Sequence, residues 1–291
     1  MEAYLLSICI IGAIYALLAI GLNIQYGETG LINFGHVAYF AIGAYATAIL
    51  SQRGVPIVLS MVLAGLIAAL AAIPIGMAAL RLKEDYFAIV TLGFAETVRI
   101  VVQQEDWLTN GVQGIASIPP LTAWAGASQN RMFALIIIAT VLLAMLAVYL
   151  LQHSSFGRVL RAIRDNEVVV VALGKKTSVF KIKVLMFGSF LGGLAGAFYA
   201  HFISYISPEQ FISLVTFYVW MSIILGGVGT MRGALLGSLV LVLILEGSRF
   251  LGDFLPGISD VQLAHIRLGV IGCVLVAFSL FRPQGIFGKA Q

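Results

Sequence analysis

Charged side chains are scarce in this sequence. Asp, Glu, Lys and Arg make up 10% of its 291 residues, whereas hydrophobic residues make up 60%. Soluble domains carry roughly 25% charged residues, which they need to cover a solvated surface. The composition therefore excludes an ordinary soluble domain. It predicts an all-α integral membrane protein, a polytopic helical bundle in which residues 1–291 form a single transmembrane domain.

Residues that carry redox, metal or nucleotide chemistry are also few. The two cysteines, Cys9 and Cys273, lie in apolar runs, where we expect small buried side chains rather than a disulfide. The four histidines lack helix-face metal spacing, and no His/Cys cluster or Ser, His and carboxylate set is present. The phosphate-binding pattern GxxxxGK(S/T) is missing, and its nearest approach, residues 285–290, lacks the spacing and the hydroxyl. We therefore expect no enzyme activity, cofactor or metal site in this chain.

Long apolar runs dominate what is present. About 20 apolar residues cross a bilayer as a helix, and nine runs approach that length. We expect about nine transmembrane segments, a count that changes by one or two if some runs are broken or re-entrant. The runs are residues 3–24, 34–51, 56–80, 86–103, 131–151, 184–205, 214–231, 233–250 and 264–281.

Basic residues are distributed unevenly between the connections. If the polar loop 152–183 is cytoplasmic, the alternation of spans places twelve of the 17 Lys and Arg residues on that side, as the positive-inside rule expects. The external loops 104–130, 206–213 and 251–263 hold acidic residues and no Lys or Arg. This pattern places the N-terminus outside. It also explains the net charge of +4 without a nucleic-acid partner.

One polar stretch, residues 153–183, interrupts the apolar runs. It holds seven of the basic residues against two acids, Asp165 and Glu167. An apolar stripe at helical spacing, with charges opposite, predicts an amphipathic surface helix over residues 156–174 that Gly174 ends. The apolar stripe consists of Phe156, Val159, Leu160 and Ile163. The charged side consists of Arg158, Arg161, Arg164 and Asp165.

The partner of this helix is either membrane lipid or another protein. A basic amphipathic segment next to a membrane binds anionic lipid. Acidic residues interrupt the basic side, however, and the four valines 168–171 are too apolar for a solvated tail. A helix with one charged and one apolar side, closed by glycine, is better suited to a groove in a protein.

Two glycine clusters mark interruptions in the apolar runs. The first spans residues 27–43 and the second residues 225–233. Two structures explain the first cluster equally well. One is a tight turn followed by close helix packing, and the other is a broken segment that lines a translocation path. Two interruptions, one in each half, are typical of transporters built from related halves. The candidate path residues are Asn33, Phe34, Gly35, Gly226, Gly227 and Gly229.

Ionisable residues inside the apolar runs need a partner or a function. Glu96 and Arg99 lie three residues apart, as Glu246 and Arg249 do, and we expect structural pairs rather than proton or substrate relays. His36, His201 and His265 lie near predicted span ends, where we expect interfacial hydrogen bonds. The external loop 104–130, with its Thr-Asn-Gly turn at residues 109–111, is either a docking surface for an extracytoplasmic partner or a simple connection.

The polar stretch resembles a known docking element. Glu167 followed by residues 172–174 (Ala-Leu-Gly) resembles the cytoplasmic EAA loop of bacterial ABC importer permeases, the helix that docks on the ATP-binding subunit. The run 157–167 is similar to that loop in branched-chain amino acid permeases of the LivM type, although residues 168–169 are valines where the family often has alanines. Seven further motifs share the likeness in order, so it covers nearly the whole chain. They are residues 21–27, 30–35, 86–94, 109–111, 206–209, 225–230 and 282–288.

The resemblance implies a permease subunit of an ABC importer for branched-chain or related amino acids, in the bacterial inner membrane. It implies separate ABC ATPase subunits, a LivH-like second permease subunit and an extracytoplasmic solute-binding protein as partners. The helix 156–174 would carry the movement of the ATPases into the spans, with charge pairing by Arg164 and Glu167 and helix termination by Gly174. The residues expected to couple to the ATPase are Arg161, Arg164, Asp165, Glu167, Ala172 and Gly174.

Other functions remain open at the level of sequence. The same permease design serves urea or short amides. An ion-coupled secondary transporter that acts alone would need an unpaired deep carboxylate, and Glu96 and Glu246 are the candidates. A membrane scaffold without transport activity is the third alternative.

Overall fold

A computed structural model gives the architecture of the chain. Regular structure in the described residues is helical, apart from short 3₁₀ turns and one antiparallel bridge between Ile115 and Ile206. The described residues are 2–79, 84–254, 269, 272–273 and 285–287. The helices are α1 (Glu2–Thr29), α2 (His36–Gln52), α3 (Ile57–Ala79), α4 (Glu84–Gln104), α5 (Asp106–Thr109), α6 (Gln129–His153), α7 (Ser155–Ala172), α8 (Thr177–Ile203), α9 (Leu214–Gly226) and α10 (Met231–Phe254).

Five of these helices, α1, α3, α4, α6 and α8, are long and apolar enough to cross a membrane. The helix α9 has 13 residues, so it is about 20 Å long and shorter than the roughly 30 Å hydrocarbon core of a bilayer. The predicted all-α polytopic membrane fold is confirmed. Eight of the nine predicted runs fall on helices. The ninth, 264–281, lies almost entirely outside the described residues, so the count of nine stays a prediction.

The helix α8 forms the centre of the bundle and packs against α1, α2 and α3. Its glycines let neighbouring backbones approach closely, as small residues do between membrane helices. A Cβ at Gly43 of α2 would overlap the carbonyl oxygen of Gly193, and a Cβ at Gly196 would overlap that of Phe40. Close backbone contact of this kind makes α2 and α8 one packing unit.

The helix α7 lies at one end of the bundle, beside the ends of α1 and α6 and the start of α8. We call this end the inner side and the opposite end, which carries residues 105–128, the outer side. Arg81, Lys83, Arg282 and Lys289, which the charge pattern assigns to the inner side, lie outside the described residues.

A first interruption, residues 30–35, separates α1 from α2. The ring of His36, at the start of α2, lies against Gly21 and Gly192 in the middle parts of α1 and α8. The chain therefore turns back from the inner end of α1 and enters the bundle before α2 begins. The chain is therefore interrupted at this place, where the sequence left a tight turn and a broken segment open as alternatives.

A second interruption, residues 204–213, enters from the outer side. Phe211 packs against Phe40 and Tyr199, and the hydroxyl of Ser213 donates to Glu96 at 2.6 Å. The short helix α9 therefore starts inside the bundle, as α2 does, but points the other way.

The second predicted glycine cluster, residues 225–233, lies where the chain passes from α9 to α10. Glycines 226–229 do not break a span. They form the turn between α9 and α10, where Gly227 and Gly229 adopt φ of 111° and 75°. A glycine cluster marks sharp backbone geometry, whether in a turn or in a broken span, and here it forms a turn.

The predictions of buried cysteines and of an interfacial His36 were wrong. Cys9 and Cys273 are free, as expected, but both are exposed on the chain surface. A membrane helix is apolar on the side that faces lipid as well as on the side that faces the core, so apolar neighbours do not imply burial. His36 is fully buried inside the bundle, with its ring against Gly21 and Gly192, and does not lie at an interface.

Candidate coupling surface and interrupted helices

The helix α7 has the predicted amphipathic character. Leu160 and Ile163 are buried, and Phe156 stacks on Phe180 of α8 with ring centroids 5.4 Å apart. The hydroxyl of Ser154 caps the helix by accepting the N–H of Gly157 at 3.3 Å. The apolar side of α7 therefore faces the bundle.

A kink divides α7 at Asn166. The backbone there is extended, with φ of −160° and ψ of 96°. The side chain of Asn166 accepts the N–H of Val169 at 3.2 Å, as an N-cap does for a new helix. The single helix predicted over residues 156–174 is therefore two short helices, 155–165 and 167–172, on either side of this kink.

The end of α7 is a Schellman turn. Gly174 adopts a left-handed φ of 77°, its N–H donates to Val171, and the N–H of Lys175 donates to Val170. A residue with a side chain is strained at this φ, so glycine ends the helix here as the sequence predicts.

The charged side of α7 is fastened to the inner end of α1. Glu28 is only 5% exposed. It accepts a 2.8 Å hydrogen bond from Gln152 and pairs with Arg161 at 3.5 Å. Arg164 donates to the carbonyl oxygen of Gly27 at 2.7 Å. Two cations thus meet the negative end of the α1 dipole, an arrangement that stabilises the contact.

A second ion pair connects α7 to α8. The ammonium of Lys181 lies 2.7 Å from the carboxylate of Glu167. Partial burial raises the pKa of Glu167, but the hydrogen bonds from Lys181 and Thr177 outweigh this and leave the pKa below its ordinary value. Glu167 and Arg164, which the sequence suggested for pairing with an ATPase, are therefore both engaged within this chain. Asp165, in contact with Arg164 at 3.3 Å, is the most exposed of the three charges.

The second half of α7 exposes an apolar surface, which we call the valine tip. Val168 and Leu173 are 77% and 75% exposed, and Val169 and Val171 are more than half exposed. Ala172, Lys175 and Lys176 beside them are exposed as well. Contiguous apolar surface with a charged rim marks an interaction site when it faces water.

The first interruption is held by a buried polar network. Asn33, with no exposed surface, donates to Gln25 at 2.9 Å and accepts the N–H of Gly35 at 2.9 Å. Two threonines also accept backbone N–H groups, Thr91 from Phe34 at 3.1 Å and Thr216 from Val37 at 3.0 Å. Irregular backbone at membrane depth survives when such partners are supplied by the protein. These bonds therefore explain how the chain can break at this depth.

The second set of candidate path residues contacts the same half of α1. Asn23 accepts the N–H of Gly229 at 2.9 Å and donates to the carbonyl of Thr230 at 3.2 Å. Gly226 and Gly227 are buried, and the N–H of Phe287 donates to the carbonyl of Gly226 at 3.0 Å. The structure thus brings both groups of candidate path residues, 33–35 and 226–229, against nearby positions on α1. Of the six candidates, only Phe34 and Gly229 are partly accessible.

The other ionisable residues of the spans behave as a structural role requires. Arg99 and Glu96 pair at 2.8 Å, and His201 hydrogen-bonds Thr47 at 2.9 Å and the carbonyl of Pro119 at 2.7 Å near the outer side. The side chains of Glu246 and Arg249, and all of His265, lie outside the described residues.

Several residues of this site escaped the sequence analysis. They are Glu28, Gln152, Lys181, Thr91 and Thr216. Glu28 carried a usable signal, since an acid at the end of an apolar run needs a partner. The others are ordinary polar residues whose partners lie far away in sequence, and a single sequence holds no sign of those contacts.

Comparison with known proteins finds sequence relatives over nearly the whole chain. The family model for branched-chain amino acid transport system permease components matches residues 4–279. The high-affinity branched-chain amino acid transport system permease protein LivM of Salmonella typhimurium is 30% identical over 94% of this chain and 67% of its own length. A probable LivM permease of Methanocaldococcus jannaschii is 26% identical over 94% of this chain and 90% of its own length.

A LivH permease protein of Salmonella typhimurium is 29% identical over 97% of this chain and 93% of its own length. No solved structure matches this chain. The match of the family model over nearly the whole sequence places this chain in the family of branched-chain amino acid transport system permease components.

Proposed function

We propose that this chain is a transmembrane permease subunit of an ATP-driven importer for branched-chain or related amino acids in the bacterial inner membrane. Its partners are separate ATPase subunits, a LivH-like second permease and an extracytoplasmic solute-binding protein. One observation carries the proposal beyond the family. The helix α7 combines an exposed valine tip with a charged side fastened to the end of a membrane-spanning helix.

The valine tip is the surface that docks on the ATPase. Val168, Val169, Val171 and Leu173 bury their apolar area in the groove of the partner, and Asp165, Lys175 and Lys176 remain at the rim. The valines at positions 168–169 make this tip bulkier than alanines would. The matching groove is therefore wide and apolar.

The inner end of α1 receives the movement. Arg161 and Arg164 hold α7 to Glu28 and Gly27, so a shift of the tip displaces the last turn of α1. That stretch of α1 also holds both sets of path residues, through Asn23 and its neighbour Gln25. The ATPase cycle thereby switches the path bordered by residues 33–35 and 226–229 between its two accessible states, which differ in their contacts with the substrate.

The docking step is tested with a charge placed on the tip. Leu173→Glu should abolish co-purification of the ATPase with the permease and ATP-dependent uptake of leucine into proteoliposomes. Ala123→Glu is the matched control, because Ala123 is also exposed but lies on the outer side. Normal assembly of the Leu173→Glu variant, or equal loss in both variants, would rule out the tip as the docking surface.

The class of substrate is tested in the same proteoliposomes. Excess isoleucine or valine should compete with labelled leucine, whereas urea and acetamide should not. Transport of urea or short amides in place of amino acids would overturn the substrate part of the proposal only. An ion-coupled mechanism finds no support at Glu96, since this carboxylate is already paired with Arg99 and Ser213.

A further inference from the structure

A cavity of about 450 Å³ opens on the outer side. The outer end of α2 forms one wall, with Ile49 and Arg53, and α5 and the loop after it form the other, with Asp106, Trp107 and Ile115. Ligand sites for small molecules have volumes of roughly 300–1,000 Å³. None of these residues belongs to the coupling surface or to the interruptions.

The walls of the cavity are held in place by hydrogen bonds. Gln52 at the end of α2 donates to the carbonyl of Ala116 at 2.8 Å, so the two walls are tied together. The loop is closed by Asn110, which donates to the carbonyl of Gly114 at 2.9 Å, and by the bridge between residues 115 and 206. The Thr-Asn-Gly turn of the external loop thus forms part of a preformed cavity rather than a loose connection.

The charges of the cavity are one cation and one anion that do not pair with each other. Arg53 and Asp106 both line it and both are exposed, and neither forms an ion pair with any residue the structure describes. The indole of Trp107 is 79% exposed. Its N–H is engaged by Glu105 at 2.6 Å, so the ring orientation is fixed.

We infer that this cavity binds a free α-amino acid on the outer side. Arg53 binds the carboxylate, Asp106 binds the ammonium, and Ile49, Leu108 and Ile115 contact an aliphatic side chain. A zwitterion satisfies both charges at once, whereas an isolated carboxylate of a partner protein would leave Asp106 repelled and unpaired. The inference takes its class of substrate, branched-chain or related amino acids, from the proposed function. It adds a holding site in which the amino acid waits before the path opens.

The test uses the purified importer complex in nanodiscs, without the solute-binding protein, titrated with radiolabelled L-leucine. Leucine should bind, while leucinamide, which lacks the carboxylate, and 4-methylpentanoate, which lacks the ammonium, should not compete. Arg53→Gln and Asp106→Asn should each weaken leucine binding by on the order of tenfold or more, because each removes a charge-assisted hydrogen bond. Arg131→Gln and Glu209→Gln, outer-side changes of the same kind away from the cavity, should change it less than about twofold.

Leucine affinity that is unchanged in Arg53→Gln and Asp106→Asn would overturn the site. So would a loss of affinity for the solute-binding protein with leucine binding intact, which would make the cavity a protein-docking surface. Parallel uptake assays separate this proposal from the proposed function. A complex that imports leucine without binding it at Arg53 refutes only the cavity, and a complex that binds leucine there but never imports it refutes only the function.

Discussion

Replacing Glu28 with Gln should weaken the attachment of α7 to α1 without unfolding the chain. The change keeps an acceptor for Gln152 but removes the charge that faces Arg161 at 3.5 Å. Two unit charges at that distance attract by roughly 5 kcal/mol at an effective dielectric constant of about 20. Glu28 is buried, but the Arg161 side chain is 41% exposed, so water screens the pair and the net contribution falls to about 1–2 kcal/mol.

A loss of that size corresponds to a factor of roughly 5–30 in an equilibrium. If the pair transmits movement of the ATPase, leucine uptake per ATP hydrolysed should fall by about that factor in Glu28→Gln. The amount of ATPase in the purified complex should stay the same, since the valine tip is untouched. Arg158→Gln removes a charge from the exposed side of the same helix and should leave the ratio of uptake to hydrolysis unchanged.

A double-mutant cycle decides whether the pair acts as a unit. Arg161→Gln should reproduce the Glu28→Gln defect, and the double variant should be little worse than either single variant. Fully additive losses would show that the two residues act independently. An uptake ratio in Glu28→Gln as high as in Arg158→Gln would refute the reasoning outright.

Three further changes test other parts of the site. Gly174→Ala forces a side chain into the left-handed region at a cost of about 1–2 kcal/mol and should weaken ATPase binding measured by pull-down, whereas Gly93→Ala, in open space on α4, should have no effect. Asn33→Leu leaves two fully buried partners unpaired at about 1–3 kcal/mol each, so the unfolding temperature of the detergent-solubilised complex should fall; an unchanged temperature would contradict the network. Glu167→Lys places a second ammonium beside Lys181 and should lower uptake, with partial recovery on adding Lys181→Glu; unchanged uptake in the single variant would exclude a role for this pair.

Sequence patterns predicted those features of the fold that depend on residues close together in the chain. The stripe of α7 was visible because burial of one side repeats with helical period, and Leu160 and Ile163 are buried accordingly. Gly174 was recognisable because a left-handed helix end favours glycine. The pair of Glu96 and Arg99 followed from helix spacing alone.

Local sequence patterns could not predict contacts between distant parts of the chain. Glu28 and Arg161 are separated by 133 residues, and Val37 and Thr216 by 179. Nothing in the neighbourhood of either residue specifies its partner. The depth at which α2 begins was hidden for the same reason, since it depends on where His36 meets Gly192 of another helix.

The inner end of α1 connects the candidate coupling surface to both groups of candidate path residues. Within two turns this helix contacts the turn before α10 through Asn23, the first interruption through Gln25, and α7 through Gly27 and Glu28. Side chains four residues apart lie on the same side of a helix, whereas side chains one or two residues apart point in different directions. Polar residues that are close in sequence can therefore contact three different neighbours. A displacement of α7 that moves this end of α1 should therefore shift both groups of candidate path residues, 33–35 and 226–229, together. Under the proposed function, coupling and gating would share this one stretch of α1, and variants at its four contact positions should lose both together.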